Sequence, residues 1–210
     1  MEKQHSPSRL SAARKKLAGY LTDPIVQFLA ASSISPNALS WSGFAITLVA
    51  AALIATGHLI AAGFVVLFGG FFDMLDGALA RRTDRTTIFG AVLDATLDRL
   101  SEAALLLGIV GYFLFSQQPQ SLFIPLSREW AVILAFVTLF SSQTVSYIRA
   151  RAEAMGLECQ VGILTRTERV ILLTLGLWLN LLVSALAVIA LLSLVTVVQR
   201  VHRVARQAKN

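Results

Sequence analysis

The chain has 210 residues, of which 56% are hydrophobic and only 14% are charged, and its mean hydropathy is +0.70. Average globular proteins carry about 25% charged residues, and a chain this short cannot bury so much apolar surface in its own core, so the composition excludes a soluble domain. The net charge of +6 does not favour nucleic-acid binding, because the basic residues lie between apolar stretches, as on the cytoplasmic side of a membrane protein.

The first 34 residues precede the first long apolar stretch. Within them, apolar side chains recur every three or four residues beside a basic cluster, at Leu10, Ala13, Leu17 and Tyr20. This spacing predicts a short amphipathic helix in the membrane interface, with a solvated basic leader as the alternative. Asp23-Pro24 and Ser35-Pro36 are expected to separate that helix from the first span.

Four stretches of about 20 mainly apolar residues follow, each long enough to cross a bilayer as a helix. They are Asn37–Thr56, Leu59–Ala80, Ile88–Phe115 and Trp130–Arg149. The next tract, Val170–Val198, is too long for one span and short for two, unless its first helix begins near Thr165 and a tight hairpin lies at Asn180. We therefore predict an all-α integral membrane protein with six transmembrane helices plus the N-terminal interfacial helix (residues 1–34), forming a single domain over residues 1–210.

The basic residues predict the orientation of these spans. Lysines and arginines cluster before the first span, between the second and third, between the fourth and fifth, and after the sixth, whereas the opposite loops hold only Arg128. By the positive-inside rule, both termini and the two basic loops face the cytoplasm. The expected location is the cell membrane.

Four of the 12 acidic residues lie inside or at the ends of the second and third spans, where a carboxylate costs about 2.5–3.5 kcal/mol at a helix centre. Asp73 and Asp76 are spaced i, i+3, and Asp94 and Asp98 are spaced i, i+4, so each pair lies on one helix face. A short loop joins the two helices, and an antiparallel hairpin turns the pairs toward each other. Two hard divalent cations, which prefer carboxylate oxygens, would balance the four negative charges.

Two other interpretations of the four aspartates stay open from spacing alone. The carboxylates form structural ion pairs with neighbouring arginines, or they line the ion or proton pathway of a transporter. Transporters of that kind usually have repeated halves with broken helices, and no internal repeat is visible. The three histidines are scattered, so a zinc-type cluster is not expected.

The segment Asp73-x2-Asp76-Gly77-x2-Ala80-Arg81-x8-Gly90-x3-Asp94-x3-Asp98 resembles the signature motif of the CDP-alcohol phosphotransferase family, with every fixed position at the family spacing. The resemblance extends to residues 35–40, at the entry into the first span. It implies a membrane enzyme with six transmembrane helices, usually a homodimer, that transfers a phosphatidyl group from a CDP-linked lipid to an alcohol and releases CMP.

The resemblance also implies roles for single residues. The four aspartates would hold two divalent metal ions, usually Mg²⁺ or Mn²⁺, and Asp98 would in addition be the general base. The CDP-linked lipid would be contacted by residues of the first span and of the motif, namely Pro36, Asn37, Ala38, Leu39, Gly77, Ala80, Arg81, Thr87 and Gly90. No Ser or Cys nucleophile stands in such a setting, so we expect direct displacement without a covalent enzyme intermediate.

Arginines around the second basic loop are candidates for holding the phosphate of a phosphorylated acceptor, because the guanidinium group binds phosphate in a bidentate manner. They are Arg149, Arg151, Arg166 and Arg169. The positive-inside rule alone is the alternative explanation.

Residues 146–153 and 93–99 resemble prokaryotic phosphatidylinositol phosphate synthases, a branch of the family. Enzymes that make phosphatidylglycerol phosphate more often have Pro and Lys where this chain has Ala95 and Arg99. The resemblance therefore implies CDP-diacylglycerol as donor and inositol phosphate as acceptor, with glycerol 3-phosphate as the alternative acceptor.

Overall fold

The computed structural model describes residues 23–32, 34–115, 126–159 and 161–208, and these residues form helices and the turns between them. The predicted amphipathic helix at Leu10–Tyr20 lies outside the described residues. In chain order the helices are α1 (23–31), α2 (Pro36–Ala55), α3 (Leu59–Arg82), α4 (Ile88–Phe115), α5 (Arg128–Ala154), α6 (Arg166–Trp178) and α7 (Leu182–Gln207).

The helix bounds follow the predicted stretches closely, with two differences. Helix α1 begins at the Asp23-Pro24 pair and ends before Ser35-Pro36, and it was not predicted. Helix α5 continues to Ala154 rather than ending near Arg149, because hydropathy marks the end of the apolar surface and not the end of the helix. The divided last tract is as expected, since α6 begins after Thr165 and Asn180 adopts a positive φ of 56° between α6 and α7.

Four of the described helices have the length and apolarity of a membrane span, namely α2, α3, α5 and α7. Helix α4 is long enough but carries several charged residues in its first half, and α6 has only 13 residues, about 20 Å of helix. Large apolar side chains point outward along the helices, such as Phe115 at 81% exposure and Phe140 at 73%. Such a surface is that of a membrane protein, since soluble monomers rarely expose large apolar patches.

The helices pack in two groups. Helix α2 lies against α3 and α4, α5 lies against α7, and contacts of α3 with α6 and of α4 with α5 join the two groups. Close approach of α2 and α4 depends on Gly108, where a Cβ atom would clash with the carbonyl of Ala51. A continuous apolar core that includes Ile54, Ile109 and Leu186 runs through the bundle.

Helices α3 and α4 form the predicted antiparallel hairpin. Residues 83–87 connect them, and Asp84 adopts a positive φ of 52°, a conformation that Asp and Asn tolerate better than most residues. The hairpin places Asp73 and Asp76, near the end of α3, beside Asp94 and Asp98, near the start of α4.

Candidate active site

Both aspartates of α3 lie against α2. Asp76 is 4% exposed, and its Oδ2 atom accepts a hydrogen bond of 2.5 Å from the hydroxyl of Ser40. Asp73 lies against Gly43, where a Cβ atom would come within 2.9 Å of Asp73 Oδ1. The small side chain at position 43 therefore makes room for the carboxylate.

The guanidinium group of Arg166, at the start of α6, joins both helices of the hairpin. Its Nη2 atom donates to Asp73 Oδ2 at 2.7 Å, and its Nη1 atom lies 2.5 Å from Asp98 Oδ1. The three side chains are 21–32% exposed, so the ion pairs are reachable by solvent. Asp98 also lies within electrostatic range of the other three aspartates, and all four carboxylates thus converge as the spacing predicts.

A cavity of about 150 Å³ lies between α2, α3, α4 and the loop that joins α3 to α4. Asp76 and Asp94 line it. So do seven of the nine residues expected to contact the CDP-linked lipid: Pro36, Asn37, Gly77, Ala80, Arg81, Thr87 and Gly90. Of the other two, Ala38 is exposed, and Leu39 is buried in a small apolar cluster with Val26 of α1.

The glycines of the motif keep this smaller cavity open. A Cβ atom at Gly90 would lie 3.0 Å from the hydroxyl of Thr87 and 3.4 Å from the side-chain oxygen of Asn37, and one at Gly77 would lie 3.3 Å from the guanidinium of Arg81. Side chains at these two positions would crowd the polar groups that face the cavity.

A larger cavity of about 390 Å³ has Asp73 in its wall and is bounded mainly by α3, α4, α5 and α6. Most of its wall is apolar. Its charged residues are Asp73, Glu102, Arg166 and Arg169, so one end of an otherwise apolar space carries two arginines and two carboxylates.

The four candidate acceptor-binding arginines have different surroundings. Arg166 contacts the aspartates, as described above, and Arg169 is buried in an ion pair with Glu102. Arg149 forms an exposed i, i+4 ion pair with Glu153 at 2.8 Å, and Arg151 is exposed. The structure therefore brings Arg166 and Arg169 to the wall of the larger cavity, whereas Arg149 and Arg151 do not line it.

The four aspartates suit hard divalent cations by the chemistry of their donor atoms, since carboxylate oxygens are the ligands such ions prefer. Among the described residues, however, no three His, Cys, Asp or Glu side chains stand ready to hold one ion. Arg166 occupies one oxygen of Asp73 and one oxygen of Asp98, so the guanidinium group competes with a metal ion for those two oxygen atoms.

Three residues of the site escaped sequence reasoning. Ser40 and Gly43 lie one and two turns into α2, where nothing in the sequence indicates which side chain faces α3. Glu102 had a visible signal, because Asp94, Asp98 and Glu102 are spaced by four residues and share one face of α4. The predicted set included only the first two of these three residues.

Comparison with known proteins decides between the interpretations that spacing left open. The family model described as CDP-alcohol phosphatidyltransferase matches residues 33–199. The chain belongs to the CDP-alcohol phosphatidyltransferase family. Both the hairpin with its four aspartates and the smaller cavity fall within the matched residues.

Relatives of this family member include phosphatidylinositol phosphate synthases. The enzyme of that name from Mycobacteroides abscessus is 38% identical over 157 residues, which cover 74% of this chain and 67% of the relative. An archaetidylinositol phosphate synthase from Methanothermobacter thermautotrophicus is 37% identical over 154 residues, covering 73% of this chain and 70% of the relative.

Solved structures of the phosphatidylinositol phosphate synthase from Mycobacterium tuberculosis resemble this phosphatidyltransferase in fold as well. The crystal structure with CDP-DAG bound has a TM-score of 0.78 and 35% sequence identity, covering 88% of this chain and 94% of that chain. The crystal structure in complex with manganese and citrate has a TM-score of 0.77 and 36% identity, covering 87% of this chain and 88% of that chain.

Proposed function

We propose that this protein transfers the phosphatidyl group of CDP-diacylglycerol to a hydroxyl of inositol phosphate and releases CMP. The observation that carries the proposal is that two cavities share the carboxylate cluster, since Asp76 and Asp94 line the smaller one and Asp73 lines the larger one. The smaller cavity is lined by the family motif, and the larger one has two arginines at its charged end. A relative with CDP-DAG bound and relatives named for inositol phosphate products support this assignment of donor and acceptor.

The donor's cytidine and diphosphate are assigned to the smaller cavity. Asn37 and Thr87 offer polar side chains there, Gly77 and Gly90 leave space, and Arg81 offers a guanidinium group to the diphosphate. We also assign Pro36, Ala38, Leu39 and Ala80 to the donor side, as the family resemblance implies.

The acceptor's phosphate is assigned to arginines at the charged end of the larger cavity. Arg166 and Arg169 line that end, and Arg149 and Arg151, at the end of α5, complete the proposed set as groups that meet the acceptor on its way in. Of the α6 arginines, Arg166 contacts Asp98. An acceptor held by these arginines therefore presents its hydroxyl group to the carboxylate cluster.

The proposed reaction is a single displacement. The acceptor oxygen forms a bond with the phosphorus attached to the diacylglycerol, the bond between that phosphorus and the oxygen of CMP breaks, and Asp98 takes the proton of the hydroxyl group as general base. Arg81 stabilises the charge that develops on the departing CMP. Two divalent ions, Mg²⁺ or Mn²⁺, held by Asp73, Asp76, Asp94 and Asp98, would supply neutralisation of the diphosphate charge.

We further propose that α2 to α7 all cross the membrane, that residues 1–210 form one protein domain, and that the protein lies in the cell membrane. Helices α4 and α6 qualify because several of their charged side chains, among them Asp98, Glu102, Arg166 and Arg169, pair with other charged groups inside the bundle. The arginines at both basic loops support a cytoplasmic position for the active site and both termini.

The acceptor assignment is tested by measuring initial rates of CMP release when purified protein is supplied with CDP-diacylglycerol as donor in the presence of Mg²⁺. Inositol phosphate, free inositol, glycerol 3-phosphate and serine are compared, each also with a CDP-linked isoprenoid ether lipid as donor. We expect release with inositol phosphate. A preference for glycerol 3-phosphate would retain the reaction class and refute the acceptor, and equal rates with free inositol would refute the role of the arginines.

A further inference from the structure

Arg169 and Asp76 are the most deeply buried charged residues in the described part of the site. Arg169 is 4% exposed, and its partner Glu102 is 16% exposed. Two parallel contacts join them, from Arg169 Nε to Glu102 Oε1 at 2.6 Å and from Arg169 Nη2 to Glu102 Oε2 at 3.2 Å. Paired contacts of this kind fix orientation as well as distance.

This ion pair lies next to the one that Arg166 makes. On α4, Glu102 follows Asp98 by one turn, and on α6, Arg169 follows Arg166 by one turn, so the two pairs connect the same two helices in register. The pair of Arg166 is about one third exposed, and its arginine can exchange carboxylate for phosphate. The pair of Arg169 is more deeply buried in the cavity wall and holds α6 while Arg166 exchanges partners.

The position of α6 matters for only one of the two cavities. Arg166, Thr167, Arg169, Val170, Ile171 and Leu173 line the larger cavity, whereas the residues that line the smaller cavity come from α2, α3, α4 and the loop between α3 and α4. A displacement of α6 therefore changes the acceptor side of the proposed site and leaves the donor side in place.

From this geometry we infer that Glu102 is a positioning residue for the acceptor. Through its bidentate contact with Arg169 it sets the register of α6 against α4, and so places the guanidinium of Arg166 where the acceptor's phosphate binds. The inference rests on the proposed function, because it assigns the larger cavity to the acceptor. A buried ion pair that serves stability alone would have no reason to affect one substrate and not the other.

The test is the kinetics of Glu102→Gln in the full chain. The rate of CMP release is measured while the concentration of inositol phosphate is varied, and separately while that of CDP-diacylglycerol is varied. The KM for inositol phosphate is expected to rise by about tenfold or more, the loss associated with a hydrogen bond to a charged group, while the KM for the donor stays within about twofold. Glu158→Gln is the matched control, because Glu158 is exposed and its contacts with Gln207 are made by its backbone.

Two further variants test the pairing. Glu102→Asp keeps the negative charge on a shorter side chain, so its KM for inositol phosphate should lie between those of the wild type and Glu102→Gln. The double variant Glu102→Gln, Arg169→Gln should lose no more acceptor affinity than the worse single variant. Should Glu102→Gln fail to fold, Glu102→Asp decides the question by the same ratio of the two KM values.

The outcomes separate this inference from the proposed function. If the wild type releases no CMP with inositol phosphate, the proposed function fails. If the wild type is active and folded Glu102→Gln has an unchanged acceptor KM, or both KM values rise equally, Glu102 is not a positioning residue for the acceptor and the proposed function stands.

Discussion

Single contacts determine how three of the four carboxylates of the cluster are held. Asp76 is fixed by the hydroxyl group of Ser40, Asp73 fits against α2 because position 43 is glycine, and Arg166 holds Asp73 and Asp98 together. None of these partners belongs to the family motif, so the surroundings of the motif carry part of the site's geometry.

Asp98 is the proposed general base, and its replacement by Asn keeps the shape while removing the proton acceptor. We expect Asp98→Asn to reduce the rate of CMP release by at least about 100-fold, the usual contribution of general base catalysis, while CDP-diacylglycerol still binds. Asp84→Asn is the matched control, because Asp84 is exposed in the loop between α3 and α4 and Asn tolerates its positive φ. Near-normal turnover by Asp98→Asn would remove this residue from the mechanism.

Arg166 competes with divalent ions for oxygens of Asp73 and Asp98. Replacement by Gln should therefore tighten Mn²⁺ binding about two- to fivefold, since partly exposed ion pairs are worth about 1 kcal/mol or less, and should raise the KM for inositol phosphate. Calorimetry or electron paramagnetic resonance measures the Mn²⁺ affinity, with Arg203→Gln, exposed on α7, as control. Weaker Mn²⁺ binding in Arg166→Gln would mean that Arg166 assembles the metal site instead of competing for it.

Gly43 is predicted to be required for the position of Asp73. An added Cβ atom would lie 2.9 Å from Asp73 Oδ1, so Gly43→Ala should displace the carboxylate and weaken Mn²⁺ binding by about tenfold, the lower end for changes next to metal ligands. At Gly70 of α3 an added Cβ atom meets no atom within 4 Å. Gly70→Ala should therefore leave Mn²⁺ affinity unchanged, and equal affinities in both variants would contradict the packing argument.

At the scale of elements, α6 is short, with 13 residues, yet six of them line the larger cavity that we assign to the acceptor. The start of α6 is capped by Glu168, whose Oε2 atom accepts a hydrogen bond of 2.8 Å from the backbone N–H of Thr165. The same oxygen accepts a second hydrogen bond from the hydroxyl of Thr165. The other end of α6 is held by Trp178, whose ring nitrogen donates to the carbonyl of Ile60 at 3.3 Å. The helix is thus fixed at both ends and by the two ion pairs of its first turn.

Removing the N-terminal contact of α6 should loosen this element. We expect Glu168→Ala to lower the free energy of unfolding by about 1 kcal/mol, the usual value of a helix cap, and to raise the acceptor KM more than the donor KM. Thermal unfolding in detergent and the two KM values measure these effects, with Glu158→Ala as control. An unchanged ratio of the two KM values would show that the start of α6 does not control the acceptor side.

Over the whole molecule, the order of α2 to α7 was predictable because hydropathy and the Asp, Gly and Pro positions are local signals. The division of the last tract at Asn180 is one such case. The bridge from Arg166 to Asp73 joins positions 93 residues apart, and the pair of Arg169 with Glu102 joins positions 67 apart. Packing alone selects those partners, so the sequence indicated the aspartates and arginines but not which arginine meets which carboxylate.

The predicted orientation is a property of the whole chain and has its own test. Fusions of a fluorescent protein that folds only in the cytoplasm, placed at either terminus, should both fluoresce if an even number of spans separates them. Fluorescence from one terminus alone would contradict six spans, and would require that α4 or α6 does not cross the membrane. The homodimer that the family resemblance implies stays a prediction, measurable by light scattering in detergent.

The central claim is that one carboxylate cluster joins a donor and an acceptor. The most direct measurement is mass spectrometry of the lipid product together with CMP, after purified protein is incubated with CDP-diacylglycerol, Mg²⁺ and inositol phosphate. We expect phosphatidylinositol phosphate and CMP in equal amounts, and at least about 100-fold less of both from Asp98→Asn in the same time. CMP accompanied by phosphatidic acid would mean transfer to water instead of the acceptor, and an absence of both products under these conditions would contradict the account.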